Sequence, residues 1–372
     1  MSTTDVNERF HAERTARIAT TGARRTTSGT YKATVGYDRG EVIGRDGLDT
    51  SRGTAALYTS TPAWHGLGTV IPGGTSDIDT VLRLAQIDFN VDKRPVLYPY
   101  GSERRVMDDH YVTVRSDTGD ALGTVGHRYQ VFQQQEIFHF LTDLADTHDV
   151  LWESAGALRG GRRVFVTMQI PDSIVIDRGG LNDEIRLFIV AINSHDGTSQ
   201  AEIVATPWRV VCGNTERFAL ADAHARWSIR HTSGALGHLT EARRTLGLTL
   251  RYAEAFETEE TALARTDIAI SDFHQVIADL WPLDDDATDR TRKTAAKRTD
   301  RLDAMFRTET ERAGRTAYAA ERAITDYLDH VAPRRPGKSM TEEIARATAL
   351  LEGTDDDTKT RAHRRLLLQR RT

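Results

Sequence analysis

The hydrophobic period of this chain changes once, near residue 214, and that change limits what it can fold into. Before it, apolar residues come in short alternating or continuous runs, such as "RRVMDDHYVTVRS", "RRVFVTMQI", "EIRLFIVAINSH" and "AEIVATPWRVVC". A period of two puts every second side chain on one face of a sheet. After it, Leu236, Leu239, Ala242, Leu246, Leu250, Ala253 and Phe256 recur at spacings of three and four, the stripe of a long amphipathic helix. Further helical patterns run to the end, interrupted at Pro282, Pro333 and Pro336. Strands first and helices afterwards predict an α+β fold: mostly antiparallel sheet with packed helices, followed by an extended all-helical C-terminal region.

Ordered character begins near "TPAWHGLGTVIPGG", where Pro62, Gly66, Gly68 and Pro72 bracket Trp64 and His65. A short helix capped by Ser76 or Asp77 follows, with Val81, Leu82 and Ala85 on one face. The strands "FNVDKRPVLYPY" and "RRVMDDHYVTVRS" are joined by a turn at Gly101 and Ser102, and "ALGTVGHRYQVF" adds a third. A helix through Ile137, Phe138, Leu141 and Leu144 closes this group. The nearly all-apolar "LFIVAI" predicts a strand covered on both faces, and the turn "DGTS" sets "AEIVATPWRVVC" beside it. Residues 1–53 are rich in Thr, Arg and Gly and read as a flexible leader. The chain thus divides into that leader, an α+β domain at 54–235, a helical region at 236–357 and a basic tail at 358–372. In the tail, "KTRAHRRLLLQRRT" carries no carboxylate and reads as a solvated helical segment.

Composition narrows the function classes. No run approaches the roughly 18 consecutive apolar residues of a membrane span. The N-terminal arginines lack the apolar core of a secretory signal. No membrane partner is expected, and the localisation reads as cytoplasmic. A single cysteine excludes an internal disulfide, suits a reducing compartment and removes every zinc site that needs two thiolates. The net charge of -5 argues against a uniformly basic nucleic-acid binder, although phosphate binding needs only local positive charge. No P-loop or dinucleotide fingerprint is present, and His65, His110, His127, His195, Asp196 and His231 show no metal-ligand spacing. No cofactor and no metal are expected.

The stretch from Asn193 to Phe218 is the richest in reactive side chains and leaves several readings open. Cys212 is a candidate nucleophile, because Asn214 and Thr215 are placed to cap a helix whose positive end lowers a thiol pKa, and His195 is available as a base. Against this, Cys212 follows "RVV" in an apolar strand, where cysteine behaves as a small buried hydrophobe. The structural reading treats Asn193, Asp196, Gly197, Asn214 and Thr215 as backbone-bonding groups: Asx turns, a left-handed glycine and a helix cap.

The blocks "PAWHGLGTV", "GTVGHRYQVFQQQEIFHFL", "NSHDGTSQAEIVATPWRVVCGNT", "RHTSG" and "AYAAERAITDYLDH", in that order, resemble the bacterial phage/plasmid-like protein family, domain of unknown function 932. The resemblance covers nearly everything after residue 55, with Gly213 departing from the glutamine expected there. It implies a mobile-element setting and no established activity. The order helix, three strands, helix between residues 77 and 147 is also similar to the core of Rad52-type single-strand annealing proteins, a likeness of topology alone. Their curved sheet and helix line a groove for single-stranded DNA. Such a groove needs phosphate-facing cations and aromatic platforms. Arg104, Arg105, Arg128 with Tyr129, Arg162, Arg163, Trp208 with Arg209, and Trp227 with Arg230 are pairings of that kind. The expectation is a non-enzymatic mobile-element protein that binds single-stranded DNA or RNA, anneals it in recombination or replication, and forms a homo-oligomer. The alternatives are an enzyme with a hydrolytic site on Cys212 or on His195 and Asp196, and a protein-interaction module acting on host factors.

Overall fold

The computed structural model describes residues 69–75, 78–139, 141–142, 151–177, 181–209, 226–232, 244–334 and 342–369. The expected leader, Trp64, His65, Cys212, Asn214 and Thr215 lie outside them. In chain order the first elements are β1 (Thr69–Thr75), α1 (Ile78–Leu84), β2 (Val91–Tyr100), β3 (Glu103–Arg115), β4 (Ala121–Gly126) and α2 (Gln134–His139). Then come β5 (Leu151–Leu158), β6 (Arg163–Ile176), β7 (Asp183–Ser194), β8 (Ala201–Arg209) and β9 (Arg226–Ile229). The helices α3 (Arg244–Ala264), α4 (Ile270–Leu280), α5 (Asp289–Ala313), α6 (Ala317–Asp326), α7 (Glu342–Glu352) and α8 (Asp356–Leu368) follow. The class is α+β, with antiparallel sheet ahead of helices. None of the described helices is long and apolar enough to cross a membrane.

Two antiparallel sheets form the first half. The larger has six strands in the order β1-β5-β6-β7-β8-β9, and the smaller is β2-β3-β4, inserted between β1 and β5 with α1 and α2. Leu187 to Ile192 of β7 are buried without a break, as a strand covered on both faces requires. α1 buries Ile78, Val81, Leu82 and Ala85 at helical spacing against the same core as Trp152 of β5.

The small sheet docks on the end of β7 by close backbone approach. Thr113 Oγ1 of β3 donates to the His195 carbonyl at 2.6 Å. At Gly123 of β4, a Cβ would stand 2.5 Å from the Asp196 Cα, so only glycine fits without moving the backbone. Asp196 closes the turn after β7, its carboxylate accepting from Ser194 Oγ, Thr198 N and Thr198 Oγ1, while Gly197 takes φ +75. The Asx turn and left-handed glycine expected from the sequence are both there.

In the helical half, α6 is the central element. Every residue from Ala317 to Thr325 is buried, and its alanines let α3, α5 and α8 pack closely around it. Thr316 caps α6, its side chain accepting from Ala319 N. The solvated basic tail is corrected here. Residues 356–368 form α8, which buries Lys359, Ala362, His363 and Leu366, and Lys359 Nζ reaches Asp329 at 2.6 Å. One face of the basic run packs inward because its charges find buried partners, while Arg361 and Arg364 stay exposed. Of the stripe expected from Leu236 onward, 233–243 lies outside the described residues, while Tyr252, Phe256 and Leu263 of α3 are buried. The bundle is tied to the sheet at Asp183, where one carboxylate oxygen accepts from Arg312 at 2.8 Å and from Tyr318 Oη at 2.7 Å.

Candidate functional site

β2 and β3 outrun their third strand. β4 pairs with His110 to Val114 only, so the segment from Leu97 to Val106 is a two-stranded ribbon. Its turn is Gly101–Ser102, with Gly101 at φ +63 as a two-residue hairpin turn demands at its first position. The register shifts between Pro95 and Leu97, where proline supplies no N–H, and Asp109 opposite takes φ +63. Cross-strand partners share a face. Tyr98 with Arg105 and Tyr100 with Glu103 therefore line one side, and Leu97 with Val106 and Pro99 with Arg104 the other. Leu97, Tyr98, Tyr100, Val106 and Met107 are all exposed, with Tyr100 the most open at 61 %. The Arg105 guanidinium stacks 4.2 Å from the Tyr100 ring centroid and only grazes Glu103 at 3.5 Å.

A second cluster lies where residues 128–134, Arg162, the end of β7 and residues 230–231 meet. His195 N donates to the Arg162 carbonyl at 2.7 Å, and Gln130 N to the His231 carbonyl at 2.9 Å. Tyr129 Oη donates to the Ser194 carbonyl at 2.7 Å, and its ring stacks on His231 at 4.7 Å. Phe132 stacks on the same imidazole at 4.4 Å, and Asn193 Nδ2 donates to the Phe132 carbonyl at 2.9 Å. Burial holds both imidazoles neutral. His195 is lowered to about 3 by desolvation, reinforced by His231 and Arg115 and opposed by Asp196. His231 is lowered to about 4 by desolvation, opposed by its bond to the Gln130 carbonyl. Neither ring nitrogen of His195 has a hydrogen-bond partner. Burial pushes the Asp196 carboxyl up, but bonds from Thr198 and Ser194 and the Arg163 charge bring it below its usual range. His195 and Asp196 thus do not act as a pair: the carboxylate serves the turn and the imidazole sits against Phe89 at 6.3 Å.

The residues expected to face nucleic acid separate into groups. Arg104, Arg105, Arg128, Arg162 and Arg230 are exposed, the first two on the ribbon and the other three on segments that meet at the second cluster. Tyr129 and Arg163 are committed to the fold, Tyr129 as described and Arg163 through Glu352 at 2.7 Å and Thr198 at 3.2 Å. Trp208 and Arg209 end β8, and Trp227 lies in β9. Sequence reading missed Tyr98 and Tyr100, although their alternation with Pro99 beside a Gly-Ser turn marks a hairpin tip.

A third cluster, unsuspected from the sequence, is an ionic network inside the helical bundle. Glu260 of α3, Glu321 and Arg322 of α6, and His363 of α8 are all fully buried. Arg322 Nη2 donates to Glu260 Oε2 at 2.6 Å and to Glu321 Oε2 at 2.5 Å. His363 contacts Glu321 Oε1 through Nδ1 and Glu259 Oε2 through Nε2, both at 2.6 Å. Burial would lower the imidazole, but the Glu321 and Glu259 carboxylates outweigh it and hold His363 up at about 9. Desolvation, then the Glu321 charge, push Glu260 well above the usual carboxylate range.

A family model described as a domain of unknown function, DUF932, matches residues 121–351, from β4 to the end of α7. No curated protein and no solved structure matches the chain.

Proposed function

The chain belongs to the DUF932 family, and from that premise we propose that it binds single-stranded nucleic acid and anneals it, as a mobile-element protein acting in recombination or replication. The observation that carries this reading is the ribbon. Exposed tyrosines and an arginine share one of its faces, in the combination that sequence-tolerant single-strand binding uses: stacking platforms beside phosphate-neutralising cations. Arg104 on the opposite face, and Arg128, Arg162 and Arg230 at the second cluster, are further exposed cations. The succession α1-β2-β3-β4-α2 has the helix, three-strand, helix order of Rad52-type annealing cores, which supports the reading by analogy of topology only. In this account the protein works in the cytoplasm as a homo-oligomer, assembled by pairing of sheet edges between copies. His195 and Asp196 lend no support to a hydrolytic alternative, since the imidazole is sealed from solvent and the carboxylate is spent on Thr198.

The test is a titration of labelled single-stranded and duplex DNA at low and moderate salt. Single strands should bind more tightly, with affinity falling steeply as salt rises because each neutralised phosphate releases a counterion. Absence of binding to either form at low salt would remove the proposal.

A further inference from the structure

The ionic network of the bundle has a geometry that a self-contained salt-bridge cluster does not require. Its donor atoms divide into two sets. Glu260 Oε2 and Glu321 Oε2 are held by Arg322, and His363 Nε2 is held by Glu259. The remaining three, Glu260 Oε1, Glu321 Oε1 and His363 Nδ1, turn toward one another. Nδ1 lies 2.6 Å from Glu321 Oε1 and 3.8 Å from Glu260 Oε1. One ligand atom from each of the three residues falls within 4.8 Å of the others, the only such group among the described residues. Glu260 Oε1 is fully buried and has no hydrogen-bond partner, a costly state for a carboxylate oxygen.

We propose that Glu260 Oε1, Glu321 Oε1 and His363 Nδ1 bind one divalent first-row transition-metal ion. Two observations beyond the clustering point to a metal. First, ligating histidines donate their second ring N–H to a carboxylate, which fixes the ring, and the His363–Glu259 contact is that arrangement. Arg322 does the equivalent for the two carboxylates, orienting each so that its other oxygen faces the site. Second, Glu260 Oε1 belongs to a fully buried side chain, has no hydrogen-bond partner and lies 3.8 Å from His363 Nδ1. An entering dication displaces the Nδ1 proton of His363, and any proton on Glu260, to solvent. Two carboxylates and an imidazole, with no thiolate, suit Zn²⁺, Mn²⁺ or Fe²⁺. Among these carboxylates Glu259 stands nearest to solvent, with 17 % of its side-chain surface open.

The test uses the full chain, stripped with a chelator and titrated with Co²⁺ while visible absorbance is followed. Melting is recorded in parallel with and without Zn²⁺. The expected result is one Co²⁺ per chain with ligand-field bands, a rise in Tm with Zn²⁺, and loss of both responses, with affinity at least about tenfold weaker, in Glu260→Gln and His363→Gln. Glu260→Gln keeps the shape of the side chain and replaces one carboxylate oxygen with an amide NH2. Should His363→Gln not fold, the wild type and Glu260→Gln decide alone. Wild-type protein that gives neither absorbance nor a Tm change, or Glu260→Gln that responds as the wild type does, overturns the proposal and leaves a network balanced by a proton on Glu260.

Discussion

The protein places its charges in two opposed ways. On the β2–β3 ribbon, arginines stand in water beside tyrosines, with Arg104 and Arg105 making at most a 3.5 Å contact to a carboxylate. In the bundle, Arg322 and His363 are fully buried and their hydrogen bonds to Glu259, Glu260 and Glu321 are 2.5 to 2.6 Å long. Exposed ion pairs contribute little to stability, so charges of the first kind are free to serve a partner. Buried charges are costly unless fully paired, so charges of the second kind hold the fold or an ion within it. A similar division separates the histidines: desolvation outweighs every other influence on His195 and His231 and lowers them, whereas two carboxylates outweigh it at His363 and raise it.

The sharpest way to break this comparison is Arg322→Met, which fits the space but leaves Glu260 and Glu321 facing each other without their shared cation. Loss of one partner from a buried ion pair costs about 3–5 kcal/mol. Denaturant unfolding should show a loss of that size, whereas a loss under about 1 kcal/mol would mean the network relaxes or takes up protons freely.

Acid should act on the other histidines. His195 and His231 have folded pKa values of about 3 and about 4, below the ordinary 6.5. The unfolded chain therefore binds more protons than the folded one between those values. Stability is fully present above about pH 6.5 and falls as the pH drops toward 4, with a slope of at most about 1.4 kcal/mol per pH unit for each histidine. In His231→Gln the slope over this interval should shrink. An unchanged slope would assign acid sensitivity to other groups.

Gly123→Ala tests the docking of the small sheet. Its Cβ would meet the Asp196 backbone at 2.5 Å, and forcing atoms into a packed contact costs about 1–3 kcal/mol. Thermal melting should show this, with a neighbouring exposed position such as Thr124→Ala nearly silent.

The smallest effect on stability belongs to the ribbon. Tyr98→Ala, Tyr100→Ala, Arg104→Ala and Arg105→Ala should each change unfolding free energy by no more than about 0.5 kcal/mol, as exposed substitutions do. Loss of stacking should weaken single-strand binding by about 1–3 kcal/mol per base contact. A ribbon variant that unfolds easily would show that the hairpin is part of the core rather than an arm.

The legibility of these regions in the sequence follows from how local their signals are. β2 to β8, the Gly101–Ser102 turn and the Asp196–Gly197 turn were readable because alternation and turn chemistry act over a few residues, whereas β1, whose Pro and Gly read as a loop, and the four-residue β9 were not. The packing of α8 was not, because a run of Lys and Arg reads as solvated until its partners are known. Lys359 finds Asp329 thirty positions away on another element. The Glu260–Glu321–His363 cluster was hidden for the same reason: residues 260, 321 and 363 have no common spacing. One local sign existed. Glu260 falls on the apolar stripe of α3, one turn after Phe256 and just before Leu263, where a carboxylate is out of place unless something binds it. The intrachain bonds of Tyr129 and Arg163 were hidden too, since an aromatic or a cation has the same local signature whether it faces a ligand or bonds to its own chain.

The claim that the ribbon is the nucleic-acid surface is tested most directly by photocrosslinking. A single-stranded oligonucleotide carrying halogenated bases is irradiated with the full chain at low salt, and the attached peptides are identified by mass spectrometry. The account predicts crosslinks concentrated between Leu97 and Met107, chiefly on Tyr98 and Tyr100, and lost when both are alanine. Crosslinks confined to the helical half, or a pattern indifferent to those two substitutions, would contradict it.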